Sequence, residues 1–206
     1  MCIRDRAVTG ARLRFGLVES QFASKGRRLD KVWVTERPAW TSNVGIDPLP
    51  AGQVVGELDL AWLDACLTLD QRALNGLWTR EQWSRELSDP RRLCLGHHDD
   101  QAGLTAIACG WLVVDELHIT AVAVDPDHRR RGRAKEVLGA LLQRARQHGA
   151  NHATLDVAAE NTPAIALYSQ FGFRTAGCRK GYYQDGRDAL IQWVRLTSSS
   201  TNDAHC

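Results

Sequence analysis

Five cations in seven positions, Arg129, Arg130, Arg131, Arg133 and Lys135, crowd the segment Val122-Ala-Val-Asp-Pro-Asp-His-Arg-Arg-Arg-Gly-Arg-Ala-Lys135, which runs from an apolar strand through a turn into a strongly periodic helix. At a helix start the first four backbone N–H groups lack intrahelical partners and sit at the positive end of the dipole, so the segment has the geometry of an anion site. Each cation can add a charge-assisted bond to phosphate, and Gly132 lets the backbone come close. A diphosphate carrier is the expected guest. A solvated basic turn or a nucleic-acid patch would explain the same cations, and both stay open on charge alone.

A second constellation lies downstream. At about 100 degrees per residue, Asn161, Ala164 and Tyr168 fall within about 60 degrees of one another, so a small residue separates two polar ones on a face able to line a narrow channel. The plainer reading makes Tyr168 a half-buried core aromatic and Asn161 part of a helix cap.

Taken together the two segments resemble a known family. Arg129-x-x-Gly132-x-Ala134, after a strand ending in Ala-Val-Asp-Pro, is similar to the Q/R-x-x-G-x-G/A acetyl-coenzyme A motif of the GNAT N-acetyltransferases. Asn161-x-x-Ala164-x-x-Leu167-Tyr168-x-x-x-Gly172-Phe173 resembles their second motif, in the correct order. The resemblance implies that the backbone of Val122, Ala123 and Val124 faces the acetyl group and pantetheine. It places Arg129, Arg130, Arg131, Gly132, Arg133, Ala134 and Lys135 around the pyrophosphate, Asn161 against coenzyme A and Tyr168 near its sulfur.

The chemistry implied is direct attack of a neutral amine on the thioester of acetyl-CoA as co-substrate, with the oxyanion held by a strand N–H between Leu117 and Val124 and no metal. Among relatives the pattern is most similar to the ribosomal-protein-alanine acetyltransferases (RimI type), whose catalytic glutamate in Leu-Glu-Val-Arg is matched by Asp156 in Leu155-Asp156-Val157-Ala158, twelve residues before Tyr168. Aspartate is one methylene shorter, and Ala158 replaces the arginine, which calls for a bridging water. An α-amino group has a pKa of about 7.7 to 8.0 against about 10.4 for lysine, so deprotonating a chain terminus costs roughly 3.5 kcal/mol less. A weak base therefore favours an N-terminal amine. Tyrosine's unperturbed pKa of about 10 suits Tyr168 to a hydrogen-bond donor to the departing thiolate better than to an obligatory acid.

Further likeness lies in Leu77-Trp78-Thr79-x-x-x-Trp83-x-x-Glu86-Leu87, Glu116-Leu-His118-Ile119 and Tyr182-Tyr183-x-Asp185-Gly186-x-Asp188-Ala189, and Trp193 leans toward cyanobacterial members. By resemblance these imply acetylation of the N-terminal alanine of a small-subunit ribosomal protein. The departures, Ala121, Ala158 and Arg187, gather where such a substrate would bind. Two other readings stand beside it: an acetyl-CoA-binding module without turnover, and RNA binding through Arg129 to Lys135.

The elements that must hold these residues follow from period and caps. Asp59 can cap a helix through Leu60, Leu63 and Leu67, and Thr79 with Gln82 forms a capping box for a second helix ending before Pro90. Apolar runs at Arg92 to Leu95, Leu104 to Val114 and Leu117 to Val124 predict an antiparallel meander, with Gly96 to Gly103 as a turn. Ala134, Val137, Leu138, Leu141, Leu142 and Ala145 keep a helical period that Gly149 ends. His152 to Val157 alternates as a strand, Thr162-Pro163 reads as N-cap and first turn of a helix stopping at Gly172, and strands near Arg174 to Tyr183 and Asp188 to Leu196 should pair through Asp185-Gly186. The expected fold is α/β (α+β): the GNAT fold, one domain over residues 54–196, with a twisted, mixed but mostly antiparallel sheet flanked by helices.

Bulk composition sets the remaining bounds. The 206 residues are 44% hydrophobic and 24% charged, enough for one buried domain, and the net charge of +2 points to no polyanionic partner by itself. Six cysteines, at 2, 66, 94, 109, 178 and 206, form no C-x-x-C pair, which suits a reducing cytoplasm, and no apolar run is long enough to span a membrane. Residues 1–53 carry breakers at Pro38, Pro48 and Pro50 and are expected to be a poorly ordered extension. Asp5, Glu19, Asp30 and Glu36 argue against a transit peptide, and the opening Met-Cys-Ile-Arg-Asp-Arg resembles translated adaptor sequence, so a native start downstream is expected. Residues 197–206 read as a flexible tail.

Overall fold

Helices begin where a side chain can satisfy the first free N–H groups. In the computed structural model, which describes residues 53–196, Asp59 accepts from Ala61 N at 2.9 Å and opens a 3-10 turn that runs into α1 (Leu63–Leu74). Thr79 and Gln82 close both halves of the capping box of α2 (Arg80–Ser88). Gly132 precedes α3 (Arg133–Gln147), whose buried stripe includes Val137, Leu138, Leu141, Leu142 and Ala145. At α4 (Thr162–Gln170) the cap is Asn161 rather than Thr162: the Asn161 side chain accepts from Ala164 N, and Thr162 and Pro163 take the first helical positions. The expected extension and tail lie outside the described residues, save Gln53.

The strands are β1 (Gln53–Glu57), β2 (Arg92–Asp99), β3 (Gly103–Val113), β4 (Glu116–Val124), β5 (His152–Ala158), β6 (Arg174–Arg179) and β7 (Ala189–Arg195), in the order β1-β2-β3-β4-β5-β7-β6. Every neighbouring pair is antiparallel except β4 with β5. The expected meander is β2-β3-β4, but β2 runs on through Gly96 to Asp99, because β1 pairs along its whole length and continues the ladder. β1 itself escaped the sequence reading, since five residues are too few to declare a period. The first strand of the terminal hairpin stops at Arg179, which leaves Tyr182 and Tyr183 in a long connection, ring against ring at 5.3 Å.

Among the described residues three bulges interrupt the sheet, one of them at Ala176 of β6, and the other two set which side chains face which layer. Cys109 pairs with Ala121 and Gly110 with Ile119, so Thr120 is an extra residue in β4. The alternation therefore slips: Leu117, Ile119, Val122 and Val124 join the core under α3 and α4, whereas Ala121 and Ala123 join a second core under α1 and α2. Thr105 is likewise extra in β3. The second core also holds the thiols of Cys66, Cys94 and Cys109, and burial pushes the Cys66 thiol up to about 12, so it packs as a small apolar group. Among the described residues no helix is long and apolar enough to cross a membrane.

Candidate active site

β4 and β5 pair only where Glu116, Leu117 and His118 meet His152, Ala153 and Thr154, although both strands run on. Beyond that junction the edge of β4 facing β5, through Val122, Ala123 and Val124, has no partner strand in β5. Such an edge offers backbone donors and acceptors to an extended ligand laid between the strands. All three side chains are buried, so backbone groups are what these residues can present.

The turn after β4 leads to the start of α3. Arg130 (φ 65) and Gly132 (φ 81) are both left-handed, an arrangement that turns successive N–H groups toward one side. A Cβ at Gly132 would meet nothing closer than Glu136 Oε1 at 3.6 Å, so it is the positive φ, not crowding, that asks for glycine here. Lys135 N and Glu136 N both donate to Gly132 O, so the helix ladder begins there and the positive end of the α3 dipole lies at this turn. Arg130, Arg131 and Lys135 are exposed around this end, and Ala134 is partly buried behind it. Arg129 folds back, its Nε donating to Val124 O at 3.4 Å.

Arg133 points the other way. Its side chain is 8% exposed, and Nη1 sits 2.7 Å from His97 Nε2 and 3.4 Å from Glu136 Oε2. His97 is held in turn by the bulged Thr105, whose Oγ1 lies 2.8 Å from Nδ1 and donates to His97 O. Burial, then the Arg133 cation, press the imidazole below its ordinary value, so the neutral ring accepts from Arg133 and donates to Thr105. Arg133 thus anchors the helix start from inside, and its backbone remains in the first turn of α3.

Tyr168 is 1% exposed and lies edge-on to Phe173 at 5.8 Å in the core under α3 and α4. Leu155 and Val157 of β5 share that core, so Asp156 between them faces the opposite side of the sheet. The two candidate catalytic groups therefore flank the β4–β5 junction from different faces. Arg179 of β6 brings Nε to 3.4 Å from Asp156 Oδ1 and its guanidinium over Tyr182 at 5.5 Å.

On the Asp156 side a cleft of about 390 Å³ opens, lined by Ala73, Leu74 and Asn75 at the end of α1, Ala158, Glu160 and Asn161 after β5, and Tyr183 and Arg187. Asp70 builds the first wall: it accepts from Leu77 N at 2.8 Å, Trp78 N at 3.0 Å and Trp83 Nε1 at 2.8 Å, so the α1–α2 loop is tied to a buried carboxylate. On α2, buried Glu86 pairs with Arg92 and accepts from Thr120 Oγ1 at 3.4 Å, and burial raises its pKa from the ordinary glutamate value.

Residues 59–173, more than half of the chain, match the Acetyltransferase (GNAT) family. The chain belongs to that family. Among its relatives is the [ribosomal protein bS18]-alanine N-acetyltransferase of Escherichia coli K12, 33% identical over 147 residues that cover 69% of this chain and 97% of that protein. The crystal structure of the Escherichia coli ribosomal-protein-S18-alanine N-acetyltransferase superposes with a TM-score of 0.66 at 29% identity, over 73% of this chain and 97% of that one. Arabidopsis thaliana NAA60 in complex with acetyl-CoA shares the fold at 15% identity and a TM-score of 0.62, over 69% of this chain and 98% of that one.

GNAT acetyltransferases use acetyl-CoA, and the residues of this one fit such a ligand: a strand edge without a β5 partner for the extended arm, then left-handed turn residues, a helix N-terminus and exposed cations for a diphosphate. What sequence reasoning missed in this GNAT site are the residues that hold its parts. Asp70, His97 and Arg179 act across gaps in sequence that leave no local period. Glu86 stood inside a quoted motif, yet nothing there showed that it reaches Thr120 from 34 positions away.

Proposed function

We propose that the chain transfers acetyl from acetyl-CoA to a protein N-terminal amine, specifically the N-terminal alanine of a small-subunit ribosomal protein. The observation that carries this reading is the interrupted β4–β5 pairing, with the cationic helix start following β4 and the Ala73–Arg187 cleft reached by Ala158, two residues after Asp156 in β5. A thioester threaded through the gap meets an amine from the cleft. The side chains of Ala73, Leu74 and Ala158 suit a small first residue, and the Escherichia coli relative is named for alanine on ribosomal protein bS18. Asp156 is proposed to take the ammonium proton, directly or through water, Tyr168 to donate to the thiolate, and the backbone of Val122 to Val124, the helix start at Arg130 to Lys135, and Asn161 to hold the carrier.

The test follows free thiol on incubating the full chain with acetyl-CoA and peptides beginning Ala, Ser or Met, or blocked at the terminus and carrying only lysine. Thiol release fastest with the Ala peptide supports the reading, and release confined to lysine peptides sinks it. The Arg179 guanidinium beside Asp156 favours one second reading, an acetyl-CoA-binding module in which the carboxylate is already occupied. Its signature is tight acetyl-CoA binding with no thiol release on any amine.

A further inference from the structure

Arg72 lies in the last turn of α1, and its guanidinium reaches the turn that follows β4. Nε donates to Asp125 Oδ2 at 2.6 Å, and Nη2 donates to Asp125 Oδ1 at 3.1 Å and to Asp127 Oδ2 at 2.7 Å. Asp125 is fixed from its other sides as well. Its Oδ1 accepts from Asp127 N at 2.9 Å, His128 Nδ1 stands 3.4 Å away, and its own N–H donates to Thr105 O at 2.9 Å. Chiefly through the Arg72 hydrogen bond, the carboxyl is held at about 2, so the pair is charged at any working pH.

The position of this fork gives it meaning. The next three residues of the chain, Ala73, Leu74 and Asn75, wall the acceptor cleft, and Asp70, two residues back, ties down the loop beyond them. Four residues after Asp125 the cationic turn begins at Arg129. One planar side chain therefore bridges the wall of one substrate site and the base of the other, and a bidentate fork transmits orientation where a point charge would not.

We propose that Arg72 is a positioning residue that couples the two substrate sites: a diphosphate seated on the 129–135 turn fixes Asp125 and Asp127, and through Arg72 this orders the end of α1 that walls the acceptor cleft. The proposal rests on the acetyl-CoA reading above. It makes acetyl-CoA the ligand that prepares the cleft for the amine.

Amide hydrogen exchange on the full chain, with and without saturating acetyl-CoA, reads the coupling without any acceptor. In the wild type acetyl-CoA slows exchange over residues 125–136 and also over 72–79; in Arg72→Met the first effect remains and the second is lost. Arg72→Lys keeps a cation without the fork and falls between. In steady state Arg72→Met raises KM for an Ala-starting peptide about fivefold, with kcat within about twofold, and about 0.5 M salt shrinks the wild-type effect, because the Arg72 side chain of the pair is half exposed. Absence of a response at 72–79 in the wild type, or an equal response in Arg72→Met, overturns the proposal. Should that variant loosen the whole domain, Asp127→Ala, which removes only the outer contact, must still weaken the 72–79 response, and an undiminished one overturns the coupling. Protection of neither segment in the wild type sinks the acetyl-CoA reading and the coupling with it. A failed acceptor reading shows instead as no thiol release with both exchange effects intact.

Discussion

At the scale of single residues the question is what each proposed group must do that its neighbours cannot. Asp156 faces the cleft side with Arg179 at 3.4 Å, so an arriving ammonium competes with a guanidinium for the same carboxylate. Asp156→Asn removes the proton acceptor and is expected to lower kcat about 100-fold or more, within the range of general-base catalysis. Tyr168→Phe keeps the ring against Phe173 and loses only the hydroxyl, so a loss of about tenfold or less is expected. Thiol release at saturating acetyl-CoA compares the two, and an unchanged kcat in Tyr168→Phe removes the tyrosine from the site. His97 sets a pH limit of a different kind. Its folded pKa lies below the ordinary 6.5, chiefly through burial and then through Arg133, with Glu136 and Asp99 favouring protonation less strongly. Between that lowered value and 6.5 the unfolded chain binds more protons than the folded one, so the stability from the neutral ring is complete above about 6.5 and falls as pH drops through the folded pKa. Thermal midpoints between pH 7 and 5 should fall less in His97→Gln than in the wild type; parallel curves would remove His97 as the cause. His148, also lowered chiefly by burial, contributes the same sign to both chains and drops out of the comparison.

At the scale of elements the β3–β4 hairpin carries visible strain. Val113 pairs with Glu116, so Val114 and Asp115 form the two-residue loop, and Val114 stands at φ 58 with 94% of its surface exposed. A β-branched residue there gains no burial to offset a left-handed backbone that costs about 1–2 kcal/mol. Val114→Asn should raise the urea midpoint by about 1 kcal/mol of stability, and Val114→Thr, equally branched, should leave it unchanged. Equal midpoints for the two variants would count against the strain. Strain at Val114 was invisible in the sequence for the same reason that the bulges were: it belongs to a pairing, and pairing is set by chain that lies elsewhere. Local signals fared otherwise. The Thr79–Gln82 box, the Gly132 start and the periodic stripe of α3 were legible because each lies within a few residues of what it controls. The cationic turn was legible too, but its sequence ranks Arg133 with Arg131, and only the packing of His97 behind it turns one inward and leaves the other in water. Likewise the slip at Thr120 decides which core Ala121 and Val122 each face, a choice that plain alternation along β4 assigns the wrong way round.

For the whole molecule, the decisive feature is that the parallel junction between β4 and β5 spans three residue pairs, whereas β2 and β3 pair over eight and β5 and β7 over seven. The meander with α1 and α2 on one side and β5, β7 and β6 on the other are thus joined by a short ladder and by the core under α3 and α4. A ligand that fills the gap supplies backbone contacts to the first half and side-chain contacts to the second, so its binding should be felt as stability of the entire domain. At a concentration of 100 times Kd, binding to the folded form alone adds about 2.7 kcal/mol. For a domain of this size that corresponds to a rise in Tm of about 5–10 °C. Acetyl-CoA should produce that rise in the wild type, whereas acetyl-pantetheine, which carries the thioester without the diphosphate, should produce little at the same concentration. The difference between them isolates what the helix start contributes, because the strand edge is offered to both. Arg131→Ala should narrow the difference by weakening acetyl-CoA alone, since Arg131 is an exposed cation at the diphosphate end. Equal shifts from acetyl-CoA and acetyl-pantetheine would mean that the strand edge alone holds the carrier and that the cations at 129–135 serve another partner.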